Sequence, residues 1–501
     1  MIGGQRGIAR PARRVELWLL MMLTSHPVIA VLILSFLVRV LFILIVSPGA
    51  SSAFGVGDDA TYSFLAEGMA TGRSGGWDPY ARELYNGTAT FTVPLTVIHL
   101  AFGSVEIGGP LLAATFGALA AALVTRLALE VLPTAWALAA GLTVAFFPSQ
   151  VLWSSLTLKD SAVWAVLAGL AVLIAIGNRS SGRRLIWAVV GVIVVLLLVG
   201  HLRPHTFIVA SWATALAALF SDRSLRIQRS IGAFLIAAAI PWVLGLGPAG
   251  LTLALNQDLE YRRTANAFGA ATAFVPAAPI EEPVTQELES LQAEASSVDV
   301  NLESTLRAIK EIAAAGDSNA AAGDSNAASS SLRKQRRLRL MRERLRMLRV
   351  ERAEVRERLE EAEARAAAEG SVPANEEDGV LSPMVQHLPK GLSVMLLEPY
   401  PWQATANSRV RLAQLESFLW YPLLALALAG LLGLAKDKKG RRALAFPVIA
   451  GGGILLVYAL AEGNFGTAYR HRGEFVWVVV VLAAMGGRVV ARTLADRRRQ
   501  V

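Results

Sequence analysis

The chain is constrained first by a series of apolar stretches, each long enough to cross a lipid bilayer. Between Val28 and Val46 only Ser35 and Arg39 interrupt the run, and Leu185–Val199 carries no charge at all. About 18–20 such residues cross a hydrocarbon core roughly 30 Å thick. There is no water in that core, so a spanning segment must satisfy its own backbone donors and acceptors, as a helix does. The expected spans are 28–47, 107–128, 134–150, 160–177, 185–200, 205–220, 231–250, 416–435, 443–460 and 474–490. Over 501 residues, 54% of them hydrophobic, this many runs exceed what a soluble core could hold. The expected fold class is an all-α polytopic membrane protein of about ten transmembrane helices.

The formal net charge of +9 follows the same pattern. Arg6, Arg10, Arg13 and Arg14 precede the first span, and Arg179, Arg183 and Arg184 follow the fourth. Arg223, Arg226 and Arg229 follow the sixth, Lys436, Lys438, Lys439, Arg441 and Arg442 the eighth, and Arg492 and Arg497–Arg499 end the chain. Placed on the cytoplasmic side, all of these obey the positive-inside rule. An even number of spans puts both termini inside. The basic charge is therefore a topology signal, and nucleic acid is not expected as a partner. The first span is long and is interrupted by Arg39, which marks it as retained and not cleaved as a signal. There is no cysteine, so no disulfides are available outside. The Ala-, Arg- and Leu-rich usage suggests a high-GC bacterium, and the expected location is the bacterial inner membrane.

This topology implies a basic cytoplasmic tail (1–27), an N-terminal membrane domain (28–250) with a first outer loop (48–92), an extracytoplasmic segment (251–415), C-terminal membrane helices (416–490) and a second basic tail (491–501). Further outer turns fall at Ser149–Asp160 and His201–His205, and a last outer loop at Glu462–Arg472. Thr92–Phe102 is apolar but too short to cross alone. It reads as a re-entrant or surface helix, or as an extension of the second span.

Within the outer segment, Leu288, Leu291, Ala295, Val298, Leu302, Ile309 and Ile312 follow steps of three and four. So do Leu338, Met341, Leu345, Leu348, Val355, Leu359 and Ala362, with Arg352 breaking the seam. Between them Ala-Ala-Gly-Asp-Ser-Asn-Ala occurs at 314–320 and again at 321–327, a turn-rich connector. The first arm is mainly acidic (Glu281, Glu282, Glu287, Glu289, Glu294) and the second carries Arg333–Arg358. Opposite charge and matching heptads predict an antiparallel coiled-coil hairpin over 284–368. It is either a tolerated insertion or an arm that docks a protein partner.

The first outer loop holds Gly57-Asp58-Asp59-Ala60-Thr61-Tyr62, and a short amphipathic helix is expected at Tyr62–Ala70, with Tyr62, Leu65 and Met69 on one face and Gly72 ending it. Asp58 and Asp59 are either helix caps or a general base with its orienting partner. They could also hold a divalent ion, although no further ligand set is evident and no cofactor is expected. Near the last span, Arg470, His471 and Arg472 stand just outside, where charge bias does not explain them. An arginine fork matches phosphate oxygens, and snorkelling to the interface is the simpler reading.

These features together resemble the GT-C superfamily of membrane glycosyltransferases, which includes the protein O-mannosyltransferases and aminoarabinose transferases. The resemblance is carried by Arg39 in the first span, Asp58-Asp59-Ala60-Thr61-Tyr62, the downstream Ala66…Ala70-Thr71-Gly72, Phe147-Pro148, and the basic motif before the last span. It covers roughly residues 28–180 and, in outline, the C-terminal hundred residues, but not the hairpin. Many relatives carry a His-Pro-Pro-like turn where this chain has Thr92-Val93-Pro94.

The resemblance implies transfer of a sugar from a polyprenyl-phosphate donor to an acceptor hydroxyl on the outer face, with Asp58 or Asp59 as base. Such a base takes the acceptor proton as attack proceeds, and fixed cations stabilise the leaving phosphate. The candidate substrate-binding set is Arg470, Arg472, His471, Arg203, His201, Lys159, Tyr62 and Arg39. The expected partners are the lipid-linked donor and membrane lipids. Blander readings stand beside several members. His201 and Arg203 sit in an interfacial turn, Asp160 could cap its helix and pair with Lys159, and Arg39 either faces the bundle or snorkels. Glu398-Pro399-Tyr400-Pro401-Trp402 reads as an interfacial loop or as part of a lipid or sugar groove. A polysaccharide polymerase or ligase, or a lipid-linked-sugar flippase, remains the alternative.

Overall fold

The computed structural model describes residues 22–46, 58–77, 79–221, 228–229, 231–233, 284–319, scattered positions between 338 and 355, then 381–403, 408–462 and 465–500. The described residues contain helices and no strand. The chain divides into two compact units, one made of Met1–Pro276 with Leu381–Val501 and the other of Ala277–Val380.

The first unit is the membrane bundle. In chain order its helices are α1 (Pro27–Val46), α2 (Asp58–Ala70), α3 (Pro79–Gly87), α4 (Ala89–Phe102), α5 (Gly108–Ala128), α6 (Thr134–Phe146), α7 (Pro148–Trp153), α8 (Asp160–Gly177), α9 (Gly182–Gly200) and α10 (Pro204–Ala218). After the second unit come α12 (Leu381–Leu396), α13 (Ser408–Leu434), α14 (Lys438–Ala461) and α15 (Phe465–Gln500). Seven of these helices are long and apolar enough to cross a membrane, namely α1, α5, α8, α9, α13, α14 and α15. The protein is a polytopic membrane protein.

Several expectations need correction. The span expected at 134–150 is a 13-residue helix that stops at Phe146, because the residue before a proline is pushed out of the helical region. Phe147 has ψ 123°, and Pro148 opens the short α7 inside what was expected to be an outer turn. The span expected at 205–220 is the 15-residue α10, started by Pro204. The span expected at 231–250 lies outside the described residues except for 231–233. The segment 92–102 neither lengthens the next span nor starts at 92. It belongs to the separate helix α4, and Gly103, at φ 79°, ends that helix. Gly72, at φ 71°, follows α2. The expected last outer loop, Glu462–Arg472, is helical from Phe465 onward. At 1.5 Å per residue the 36 residues of α15 run about 54 Å, longer than the hydrocarbon core is thick. Finally, the outer segment expected at 251–415 is divided, since α12 and the start of α13 pack with the membrane unit.

Apolar packing alone gives helices no preference for one another over lipid, so close approach at small residues matters. A Cβ added to Gly430 would lie 2.0 Å from Leu482 O, and one added to Gly486 would lie 1.9 Å from Leu426 O. These reciprocal glycines let α13 and α15 cross backbone to backbone. Gly391 does the same for α12 against Ala459 of α14.

Among the described residues, basic groups from several clusters gather at one end of the bundle. Glu130 pairs with both Arg126 and Arg179. Asn178 donates to Arg442 O at 3.1 Å, and Arg229 donates to Gly177 O and Ser180 O. Arg488 reaches Val131 O. The opposite end collects the α6–α7–α8 connection, the α9–α10 turn, the loop after α12 and the start of α15.

In the second unit, α11 (Val284–Asn319) is one 36-residue helix. It runs through most of the first copy of the duplicated heptapeptide, so that copy is helical up to Asn319 and is not a turn. The second copy lies outside the described residues. Leu291, Val298, Leu348 and Val355 are buried. Asp299 binds Arg352 at 2.7 Å, which gives the residue that breaks the apolar seam an ionic partner.

Candidate functional site

Burying an ion is costly unless its partners and remaining hydrogen bonds are supplied, and in a bundle such groups are exceptional. The end opposite the basic clusters nevertheless holds a dense buried network. Its centre is Arg203, which stands where α9 turns into α10. One guanidinium nitrogen donates to Tyr458 Oη and to Glu474 Oε1, both at 2.6 Å, and the other binds Asp160. Arg470 Nε lies 3.3 Å from the second oxygen of Asp160. Tyr458 Oη donates to Glu474 Oε1, and Thr206 Oγ1 donates to Glu474 Oε2 at 3.0 Å. Asp160 and Glu474 are fully buried.

Burial lowers the pKa of Arg203, but its contacts with Tyr458, Glu474 and Asp160 outweigh burial and hold it well above the ordinary range. The guanidinium therefore stays charged at any pH at which the protein is folded. Asp160 opens α8, where the helix dipole also favours a negative charge.

Histidines border this core. His205 Nε2 lies 3.1 Å from Tyr458 Oη. The His471 ring stacks on Tyr458 with centroids 4.5 Å apart, and its Nδ1 meets Glu462. Lys159 precedes Asp160, and its positive charge also acts on that carboxylate. Its ammonium lies 5.9 Å from the centre of the Tyr62 ring, a cation–π contact. Tyr62 is buried and packs edge-on against Phe91 of α4, which anchors α2 to the bundle. This contact connects the helix that begins at Asp58 with the Asp160–Arg203–Arg470 cluster.

The candidates therefore separate into groups. Tyr62, Lys159, Arg203, Arg470 and His471 come together. Asp58 and Asp59 are the first two residues of α2, with Asp58 one helical turn before Tyr62. The Asp58 side chain lies outside the described residues. Asp59 Oδ1 accepts from Ala60 N at 2.8 Å, a local contact. His201 turns back onto its own helix, with Nδ1 2.9 Å from Leu197 O.

Arg472 and Arg470 point to different neighbours, because residues two apart on a helix do not share a face. Arg472 is buried, donates to Val394 O and Glu398 O, and lies over Trp420 and Tyr469. It holds the loop after α12, where Lys390 and Ser393 bind the Glu398 carboxylate. Trp402, at the tip of that loop, is 77% exposed and stacks on Tyr400, as an interfacial aromatic would.

Arg39 faces the interior and is fully buried among neutral acceptors: Ser154 Oγ at 2.6 Å, Ser35 Oγ, Ser35 O and Ala145 O. A Cβ on Gly117 would stand 2.6 Å from its Nε, so that glycine leaves room for the guanidinium. Among the described residues no group of three or more His, Cys, Asp or Glu side chains could hold a metal ion.

Sequence reasoning passed over Glu474, Tyr458, Glu416 and Glu462. Glu416 and Glu474 stand at the first positions of two expected spans, where a carboxylate reads as a boundary. The usable signal was that both lie inside long apolar helices, where an ionisable group implies a buried partner.

No protein-family model matches the chain, and no curated protein is significantly similar to it. Among solved structures it is similar to the archaeal oligosaccharyltransferase AglB from Archaeoglobus fulgidus, determined in complex with an inhibitory peptide and a dolichol-phosphate. The identity is 16% and the TM-score 0.45, over 95% of this chain and 52% of that one. This chain thus spans about half the length of that protein, and a score at this level falls short of a shared fold.

Proposed function

We propose that this protein is a GT-C-like membrane glycosyltransferase that moves a sugar from a polyprenyl-phosphate donor to an acceptor hydroxyl at the end of the bundle opposite its basic clusters. The observation that carries the reading is the Lys159–Tyr62 contact. It joins the helix of Asp58 and Asp59 to a cluster in which Arg203 pairs with Asp160 and Glu474, and Arg470 with Asp160. A displacement at an anomeric carbon needs a carboxylate to take the acceptor proton and a fixed positive field at the departing phosphate. In this reading the acidic start of α2 supplies the first requirement and the cations of the cluster supply the second. Asp58 or Asp59 is the base, while Lys159 and Arg470 face the phosphate. Arg203, bound to two carboxylates and a tyrosine, holds Asp160 and Glu474 in place and is a positioning residue. By the positive-inside rule this end is extracytoplasmic.

A flippase is less well supported, because transporter sites lie near the bilayer midplane on broken helices. The buried charges of this cluster lie within three turns of helix ends.

The test is transfer of a labelled sugar from a polyprenyl-phosphate donor by purified protein, comparing wild type with Lys159→Gln and Arg470→Gln. The expected result is product of inverted anomeric configuration, with either substitution lowering kcat/KM by about tenfold or more, equivalent to about 1.4 kcal/mol. Transfer at wild-type rates by both variants would remove the cation cluster from the mechanism.

A further inference from the structure

The basic end of the bundle holds a cavity that the proposed reaction does not use. Its volume is about 310 Å³, and it lies between α8, α9 and α10. α9 lines it with one face, from Leu185 through Ala188 and Val192 to Leu196. At 1.5 Å per residue that stripe extends about 16 Å along the helix. This is close to half of the roughly 30 Å hydrocarbon core, the depth of one leaflet. Gly177 and Ala218, with little or no side chain, leave the space open on the other walls. α9 is the least buried of the seven spanning helices, and Val189, which also lines the cavity, is 36% exposed. The cavity therefore borders the lipid-facing side of the bundle.

Three of the lining side chains are polar, and two of them are engaged elsewhere. Asn178 donates to Ala217 O and Arg442 O, and Thr214 donates to Ala210 O. Arg229 is different. Its two terminal nitrogens donate to Gly177 O and Ser180 O, which fixes the guanidinium at the C-terminal end of α8. Its Nε–H is buried with no acceptor among the described residues. Arg126 and Arg179 share the Glu130 carboxylate, whereas no described carboxylate pairs with Arg229. Arg183 and Arg184 stand exposed at the start of α9, just before Leu185, and no acidic residue occurs between Asp160 and Asp222.

We infer that this cavity binds one anionic phospholipid from the leaflet at the basic end, with an acyl chain along α9 and the headgroup phosphate at Arg229. Shape and charge select that occupant. A cavity with apolar walls stays dry and takes up hydrocarbon, and this one is as deep as a leaflet. Basic pockets between spanning helices on the cytoplasmic side suit anionic headgroups, and the positive-inside rule assigns this end to that side. A guanidinium has five N–H donors, so Arg229 keeps donors for phosphate oxygens after its two carbonyl bonds. A zwitterionic lipid would fill the apolar part equally well but would bring its own cation to Arg183, Arg184 and Arg229. The lipid-linked donor of the proposed reaction places its phosphate at the opposite end of the bundle.

The inference stands apart from the transfer chemistry, so its test uses lipid binding alone. Full-length protein in mild detergent is titrated with phosphatidylglycerol or phosphatidylcholine of matched chains, and the retained lipid is counted by native mass spectrometry. Wild type should prefer phosphatidylglycerol by about fivefold or more, the worth of roughly one basic side chain at an anionic headgroup. Its unfolding temperature should rise with that lipid, as for any ligand of the folded state. Arg229→Gln should lose the preference, and Arg229→Lys should keep it. Ala218→Phe, which fills the cavity, should lower retention of both lipids. Absence of a preference in wild type overturns the inference, and so does a preference that survives Arg229→Gln or disappears in both Arg229 variants. Displacement of the bound phosphatidylglycerol by an equimolar amount of polyprenyl phosphate would also overturn it, in favour of the donor lipid.

Discussion

Ser149 donates its backbone N–H to Glu416 Oε2 at 2.6 Å, and its hydroxyl binds the other carboxylate oxygen. In an unbroken helix that N–H would go to Ala145 O. The break at Phe147–Pro148 releases both groups, and two buried ionic side chains from distant helices take them up, Glu416 for the donor and Arg39 for the acceptor. Tyr469 Oη completes the Glu416 site at 3.0 Å. The kink beside the candidate site is therefore held by side chains and not by the local backbone.

Removing the Glu416 carboxylate should cost stability. Glu416→Leu leaves a buried N–H and hydroxyl without their acceptor, a penalty of about 1–3 kcal/mol. Glu416→Gln retains one acceptor and should cost less. Thermal unfolding in detergent should rank wild type above Gln and Gln above Leu, and the reverse order for the two variants would contradict this role.

Arg39 sits on insertion scales at a cost of about 2.5–3.5 kcal/mol near a helix centre, offset here by its ring of neutral acceptors. Arg39→Lys cannot reach Ser154, Ser35 and Ala145 together. Lower thermal stability is expected with an unchanged KM for the lipid-linked donor. A raised KM at normal stability would instead make Arg39 part of the donor site.

For the acidic helix, Asp58→Asn and Asp59→Asn each keep a side-chain acceptor for capping while removing proton-accepting power. One of them should abolish sugar transfer with little loss of folded protein. Equal activity in the two variants, assayed with a polyprenyl-phosphate sugar, would refute the base assignment.

The close crossing of α13 and α15 offers a purely structural check. Gly486→Val places a branched side chain where even a Cβ comes within 1.9 Å of Leu426 O. The two helices must separate, and purified yield and unfolding temperature should fall together. A normally stable variant would show that the crossing is looser than described.

Deleting about Glu282–Gly370 and closing the gap with a short flexible linker removes most of the second unit. The membrane unit has its own core, so it should still purify as a monodisperse species and transfer sugar to a small acceptor. Loss of transfer by a monodisperse deletion variant would mean that the arm helps to build the site.

Hydropathy is a local sum, so the sequence by itself determined that this is a helical membrane protein and located its principal spans. The repeated basic clusters also marked described residues that meet at one end of the bundle, among them Arg179 and Arg229, since each of these follows an apolar run. The partners of the buried charges were decided only by the tertiary structure. Arg203 lies 271 positions from Glu474 and Ser149 lies 267 from Glu416, and no periodicity spans such distances. The same limit explains the reading of 462–472 as a loop. Two arginines and a histidine look like surface when taken one at a time, yet Phe465 starts a helix because Asp160, Glu462 and the carbonyls of Val394 and Glu398 receive those charges inside the fold. Where an ion can be buried depends on the groups that other helices bring to it, and those are settled only when the helices pack.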